Sequence, residues 1–589
     1  LAIDVAVRNK GRLFLLAAGI GVLVGVSTAA FVALIGAFQL AFYGRASEAY
    51  FASIAGSLPG WRTVLALAGG GLLLGLVLQF LVPGRRYHGV ADVMEACALR
   101  GARMDPRSGL STALASALSL GAGASVGREG PAVHIGASLS AWLAERLGLS
   151  QRDSLTLLGC GAAAAVTASF NAPIAGVLFA LEVVVGYYSL SVFAPVVVAS
   201  MGAVMVTRQL LGDAPAFSVP DYQIASLWEL PAFALMGIGG ALIALALIRA
   251  TALVQRLWTW LRLPLCLRPA CGGALLGLIA VQFPEVLSVG YQAIDLALKG
   301  EMLFGLLLAL LVAKLAATAL ALGSGFAGGV FSPALFLGAM FGGASWSLTS
   351  ALFPELASTQ GAYAIIGMAG VASAMLGAPI STLLIVFELT LDYHLTVAVM
   401  LAAAAASTAM QATGSCSFFR WQLAQRGIDI VAGRDQGLLV ASDIEALIER
   451  DCTRLPVQIS LGEAQRHIAA AASATGSGVA VLVDDAGELR GSLSLEEVAA
   501  ALHGARASVA LATSDAALDV ARGAQVCVPR HTSLNGALDA MREHGLSWLP
   551  VIEASEGDAT LLGVIHRDRV LSACNTLLRE ARAEESGLN

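Results

Sequence analysis

Charge is what this chain has least of. Asp, Glu, Lys and Arg make up only 13% of its 589 residues, against 57% hydrophobic, and its mean hydropathy is +0.77. That is the balance of a polytopic membrane protein. Its eight cysteines (Cys97, Cys160, Cys266, Cys271, Cys416, Cys452, Cys527 and Cys574) are scattered, and none forms a C-x-x-C pair. Neither a zinc site nor a disulfide framework is therefore suggested, and the tail cysteines read as reduced and cytosolic. No G-x-x-x-x-G-K-[ST] occurs, so ATP-driven pumping has no phosphate-binding loop to rest on. No cleavable signal peptide is visible. The chain starts at Leu1 rather than Met, which points to a trimmed start, and Arg8, Lys10 and Arg12 precede a long apolar run. The positive-inside rule puts that end in the cytoplasm.

The few charges are unevenly spread. Residues 431–589 hold 22 acidic and 13 basic side chains, and the first 430 hold 19 and 22. A membrane domain over 1–430 thus precedes a soluble acidic tail over 431–589. The acidic tail argues against nucleic-acid binding. Apolar segments follow one another from about 13–42 to 395–412, several of them shorter than the roughly 20 residues a spanning helix needs. Short helices interrupted by Gly and Pro mark folds in which half-helices meet near the bilayer midplane. The polar stretch Leu211–Pro231 reads as a linker between halves of about 11–211 and 231–430.

Gly127-Arg128-Glu129-Gly130-Pro131 puts two charges inside this apolar region. A carboxylate at bilayer depth costs roughly 2.5–3.5 kcal/mol on insertion scales, so it is kept there for function. The glycines let the chain bend, and Pro131 suits the first turn of a new helix. The pattern predicts a helix that breaks and restarts with Glu129 at the break. A second copy follows. Gly161 and Gly367, Pro173 and Pro379, and Glu182 and Glu388 are each 206 residues apart, and Pro131 and Pro333 are 202 apart. Gly329-Val330-Phe331-Ser332-Pro333 is thus near-equivalent to Gly127–Pro131. Membrane repeats of this sort often have inverted topology, with the site at their interface.

G-R-E-G-P at 127–131, G-V-F-S-P at 329–333, Gly323-Ser324-Gly325 before it and the Asn171-Ala172-Pro173 helix start together resemble the CLC chloride channel and chloride/proton antiporter family, in a bacterial-type member. The resemblance covers roughly 11–430. It implies an all-α membrane domain of the CLC fold, an inverted repeat with broken helices, and a homodimer with one pathway per subunit. It puts the amides of Gly130, Val330 and Phe331 around a central anion, where helix N-termini offer unpaired N–H groups. Glu129 becomes the gating glutamate, able to occupy an anion position when ionised and to swing away when protonated. Arg128 is counted with the anion site, as shaping the local field more than binding directly.

Several positions depart from the family pattern. The loop that brings a serine to the anion falls at Tyr87-His88-Gly89-Val90-Ala91, with His88 in its place. His88 either donates to an anion or is a helix-start histidine pointing elsewhere; both readings stay open. The antiporters' inner proton-transfer glutamate aligns with Val183. Glu182 is one residue earlier, about 100° around a helix, and its match to Glu388 favours a structural role. The anion-contacting tyrosine aligns with Phe419. Two lost hydroxyl bonds, each worth roughly 0.5–1.5 kcal/mol, predict weak central anion binding and hence conduction. Ser332 is a mild change at a position where small residues are usual.

The tail resembles a CBS pair, α/β modules at about 440–500 and 522–575. Val481-Leu482-Val483 before Gly491-Ser492-Leu493-Ser494, and Ser547–Ile552 before Gly563–Asp568, fit a β-α-β-β-α order. The Ala/Ser-rich stretch 504–521 reads as their linker. Such pairs bind adenine nucleotides in some proteins; their ribose-contacting Asp aligns with Glu497 in the first module and Arg569 in the second, with Asp568 adjacent but out of register, and the candidate positions here are Ser494, Glu497, His566 and Asp568. No cofactor is required and no metal is expected. The expectation is a bacterial inner-membrane protein moving chloride or another small anion, its N-terminus and tail cytoplasmic, by voltage- or pH-gated passive conduction through Glu129. The alternatives are an anion/proton antiporter with another inner proton route, and a nucleotide-sensing membrane protein with vestigial transport.

Overall fold

The computed structural model describes residues 2–212, 217, 226–390, 395–428, 442–475, 478–484, 488–507, 517, 522–523, 527–530, 532–555 and 558–586. Most of the expected linkers at 211–231 and 504–521 lies outside these residues. The chain forms two compact units, Leu1–Asp429 and Ile430–Asn589. The first is helical throughout its described length, and the second carries the strands. Seven of the described helices are long and apolar enough to cross a membrane, and the rest of the bundle uses shorter pieces.

The membrane unit begins with α1 (Ala2–Tyr43), α2 (Phe51–Gly56), α3 (Gly60–Phe80), α4 (Val90–Leu99) and α5 (Pro106–Gly121). Then come α6 (Glu129–Arg146), α7 (Gln151–Phe170), α8 (Pro173–Phe179) and α9 (Leu190–Leu211). The second half has α10 (Leu230–Trp260), α11 (Arg268–Gln282), α12 (Tyr291–Leu298), α13 (Phe304–Ser324) and α14 (Phe331–Leu352). It ends with α15 (Gln360–Leu376), α16 (Pro379–Thr390), α17 (Thr396–Ala412) and α18 (Phe418–Ala424).

The repeat is built twice by the same local chemistry. α7 ends at Asn171 and α15 at Gly377, both in the left-handed region (φ 55° and 69°) that Asn and Gly tolerate best. Proline follows two residues later in each copy and starts the next helix. Inside each copy the helix pair crosses at glycines. A Cβ on Gly136 would stand 2.4 Å from the Gly161 carbonyl oxygen, and one on Gly338 would stand 2.4 Å from that of Gly367. Small residues let backbones touch where lipid supplies no hydrophobic drive.

Glu182 and Glu388 then lock the halves together. The Glu388 carboxylate accepts from the amides of Ile174 (3.0 Å) and Ala175 (2.6 Å), at the start of α8. Glu182 accepts from the amides of Ile380 (3.2 Å) and Ser381 (2.7 Å), at the start of α16. Each half thus caps a helix of the other, satisfying orphan donors and the positive helix end. After Phe179, α8 widens into a π-helical turn, Ala180–Val185, which carries both Glu182 and the buried Val183. Lys314, fully buried in α13, is held by the carbonyls of Val286 and Ser288, each at 2.9 Å. A buried cation persists only where such acceptors surround it.

The tail has two sheets. The first runs β1 (Thr453–Pro456), β2 (Val479–Val483), β3 (Leu489–Ser494) and β4 (Arg522–Gly523), parallel at β1–β2 and antiparallel after it. The second runs β5 (Val528–Pro529), β6 (Trp548–Ser555) and β7 (Asp558–His566), with β5–β6 parallel and β6–β7 antiparallel. The module limits differ from those expected. Residues 443–449 belong with the second module: Ile444 is buried against Val528 and Leu534, and Glu449 bridges Val564. Arg522–Gly523 belongs to the first, paired with β3. The apolar Ile444, Leu447 and Ile448 find their partners across the sequence, which element order could not reveal. Burial pushes the thiols of Cys452 and Cys527 up, which keeps them protonated.

Replacing Glu182 by Ala should expose the α16 amides to apolar surroundings. A loss of about 1–3 kcal/mol is expected, read as a lower unfolding temperature in detergent, with Glu388→Ala doing the same at α8.

Candidate functional site

The site forms where the two repeats touch end to end. Gly127 N–H donates to the Gly329 carbonyl at 2.7 Å, and Gly329 N–H donates back to Gly127 at 2.7 Å. α6 and α14 start two residues beyond this bridge. Their first intrahelical bonds on the Arg128 and Val330 carbonyls come from Ala132 (3.1 Å) and Ala334 (3.0 Å). The N–H groups of Glu129 and Gly130, and of Phe331 and Ser332, precede those donors and have no intrahelical partner. Pro131 and Pro333 have no N–H to satisfy.

A narrow cavity lies against these two helix starts. Glu129, Gly130, Val330, Phe331 and Phe419 all line it. Val90, Val133, Val166, Phe170 and Phe179 complete an apolar wall, and the Phe170 ring packs on Phe331 at 4.7 Å between centroids. Glu129 is the one ionisable side chain on this wall. Glu129 is 3% exposed, and its Oε1 accepts a hydrogen bond from the Ser332 hydroxyl. Oε2 has no hydrogen-bond partner and lies against Gly127, where a Cβ would stand 2.4 Å from it. Any larger residue at 127 would displace the carboxylate.

The other expected residues are placed elsewhere. Arg128 does not line the cavity. Its guanidinium pairs with Glu48, donates to the Ser169 carbonyl at 3.0 Å and sits 5.7 Å over the Tyr291 ring. Its charge is consumed by a carboxylate 80 residues earlier, and nothing local in the sequence announces that pair. His88 has two readings from the sequence, and its contacts fit the second. Nδ1 lies 3.1 Å from Asp92 Oδ1 and Nε2 lies 3.0 Å from the Pro83 carbonyl, so both ring nitrogens are engaged in fixing the start of α4. It is the helix-start histidine of the two readings. Val183 is buried but off the cavity wall, and Glu182 is held as a cap.

Ser332 is the functional neighbour that sequence reasoning undervalued. Its place, 202 residues after Gly130 in the repeat, was a signal that it faces the Glu129 break. In the tail, Ser494 and Glu497 form a capping box. The Ser494 amide and hydroxyl each lie 2.8 Å from Glu497 Oε2, at the start of the helix Leu495–Ala507. His566 Nε2 lies 3.6 Å from Glu449, and Asp568 is exposed in the first turn of Arg567–Ser586. Among the described residues no group of His, Cys, Asp and Glu is placed to hold a metal.

Comparison with known proteins agrees with this architecture. The family described as voltage gated chloride channel matches residues 70–411, and the CBS domain family matches residues 519–575. The voltage-gated ClC-type chloride channel ClcB of Escherichia coli O157:H7 is 30% identical over 420 residues, covering 70% of this chain and 99% of that protein. The H(+)/Cl(−) exchange transporter ClcA of Vibrio cholerae is 33% identical over 283 residues, covering 47% of this chain and 60% of its own length. The crystal structure of a slow cyanobacterial Cl−/H+ antiporter superposes with a TM-score of 0.63 at 22% identity, covering 70% of this chain and 98% of that one. The chain belongs to the CLC family of membrane anion channels and transporters, and carries a CBS domain in its tail.

Proposed function

We propose that this CLC protein is a passive conductor of chloride or another small anion, with Glu129 as its gate. The observation that carries the reading is the solitary carboxylate on an otherwise apolar wall. An exchanger needs a second place for a proton to wait on the inner side. Here the position expected to supply it is Val183, and the adjacent Glu182 is committed to the α16 amides.

The mechanism follows from the donors. Two helix starts aim free N–H groups and the positive ends of two macrodipoles at one point. An anion there exchanges water for partial charges, without a full cation to trap it. The ionised Glu129 competes for the same field, so carboxylate and anion exclude one another. Protonation removes that competition, and Ser332 holds the closed position until then. Phe419 supplies a ring but no hydroxyl, so the anion leaves readily. The protein acts as a homodimer with one pathway per subunit, in a bacterial inner membrane, its N-terminus and tail in the cytoplasm.

In liposomes with a chloride gradient, the reversal potential should follow that gradient alone. A shift on imposing a pH gradient would establish proton exchange instead. Glu129→Gln, which mimics the protonated gate, should raise anion flux several-fold and flatten its pH dependence; unchanged flux and pH dependence would remove Glu129 from gating. Phe419→Tyr should return one donor to the cavity. Anion affinity should then rise by about 2–10-fold, measured by isothermal calorimetry, with slower flux.

A further inference from the structure

α5 and α6 meet along a buried polar seam outside the anion cavity. On α5, Thr112 and Ser116 are fully buried; on α6, His134 and Ser138 are 1% and 2% exposed. Thr112 Oγ1, Ser116 Oγ, Ser138 Oγ and His134 Nδ1 all lack a hydrogen-bond partner. The spacing puts them on facing sides. Gly109, Thr112 and Ser116 share one face of α5, and His134 and Ser138 share one face of α6. The contact is close, because a Cβ on Gly109 would stand 2.8 Å from Ser138 Cβ. A bare hydroxyl inside a membrane protein costs free energy, and apolar residues would pack there more cheaply. Four such groups together call for a function.

The seam has an outer and an inner end. The His134 ring stacks on His88 at 5.5 Å, with 22° between planes. His88 is 13% exposed and bonded to Asp92, which also pairs with Arg86, 38% exposed. Exposure thus falls stepwise from Arg86 through His88 to His134. At the other end, Glu129 is the first residue of the same helix α6, five residues and about 7.5 Å of helix rise from His134. Its Oε2 is also unpartnered.

We propose that this seam is a proton path serving Glu129, with His134 as the group that holds the proton. It rests on the reading of Glu129 as gate. A proton arriving past Asp92 and His88 binds the neutral His134 imidazole. The imidazolium then gives up a proton through the α5 hydroxyls of Thr112 and Ser116, and Glu129 passes from carboxylate to neutral acid. His134 returns to its neutral form. α4 and its preceding loop present His88, Asp92 and Arg86, with Arg426 bonded to Asp92, and α4 also carries the buried Glu95, paired with Arg100 and Arg426. Among the described side chains α1 carries only the exposed Arg12, α5 only the exposed Arg107, α14 carries no charged residue, and α7 presents the buried Cys160 beyond Arg152 and Asp153 at its start. No nearby carboxylate on α5, α7 or α14 competes for the proton.

The test uses the full-length protein in planar bilayers, with pH varied on one face at a time. Acidifying the face that carries the α4–α5 loop should raise anion current in the wild type. His134→Leu should lose that dependence while the response to the opposite face stays. Thr112→Val and Ser116→Ala, which keep shape and are expected to fold, should weaken it. His134→Leu, or Thr112→Val together with Ser116→Ala if the leucine variant does not fold, retaining wild-type dependence on both faces would overturn the proposal. Failure of the gate itself reads differently: Glu129→Gln would then keep its pH dependence on both faces whatever stands at 134.

Discussion

Two hydrogen bonds between Gly127 and Gly329 hold the rest of the structure in place. Each glycine gives its N–H to the other's carbonyl at 2.7 Å, so the two repeats meet through a reciprocal pair of bonds. Everything at the site is measured from that bridge. It sets where α6 and α14 begin, and therefore where their unpaired amides point. It also leaves room for the Glu129 carboxylate, because no side chain projects from position 127. Backbone can approach backbone this closely only at residues without a Cβ.

The same symmetry sorts three carboxylates into different roles. Glu182 and Glu388 sit at equivalent positions and each accepts two amides at the start of the other half's helix. Those bonds hold their charge in place. Glu129 has no acidic equivalent in the second repeat, where Phe331 stands two residues after Gly329. One of its oxygens is bonded to Ser332, and the other has no partner. A carboxylate with both oxygens bonded is a structural part, and one with a bare oxygen can move. Chain position alone does not make that distinction; the number of donors within reach does.

The sequence carried most of this through its internal repeat. The 206-residue spacing of Gly161, Pro173 and Glu182 with their partners predicted helix ends that Asn171 and Gly377 now show as left-handed caps. The CLC resemblance predicted the fold class, an all-α membrane domain followed by α/β modules. What escaped were contacts between residues far apart in the chain. Arg128 reads as shaping the field of the anion site, and the Glu48 that pairs with it cannot be seen from its local sequence. His88 reads equally as a donor or as a helix-start residue until Asp92 and Pro83 are found beside its two nitrogens. The tail modules read as two consecutive blocks until Ile444 packs into the second core. Local pattern predicts where an element starts; which partner consumes its polar groups is decided by packing.

That distinction bears on how the site handles an anion. Partial charges from helix starts bind without the depth of a full cation, and an apolar wall adds no further hold. Arg128 is removed from this balance by Glu48, so its charge deepens the well only at a distance. On the proposed reading, the residual control is the competition between the Glu129 carboxylate and an anion of the same sign for the same donors. Occupancy and protonation are therefore linked whatever the stoichiometry. If Glu129 is the gate, as proposed, a bound anion displaces the carboxylate toward surroundings that favour its neutral form, and a proton on Glu129 frees the donors for an anion. Conduction and exchange share this step. They part only in the number of places a proton can wait between Glu129 and the two faces, so the polar groups buried behind α6 matter as much as those on the cavity wall.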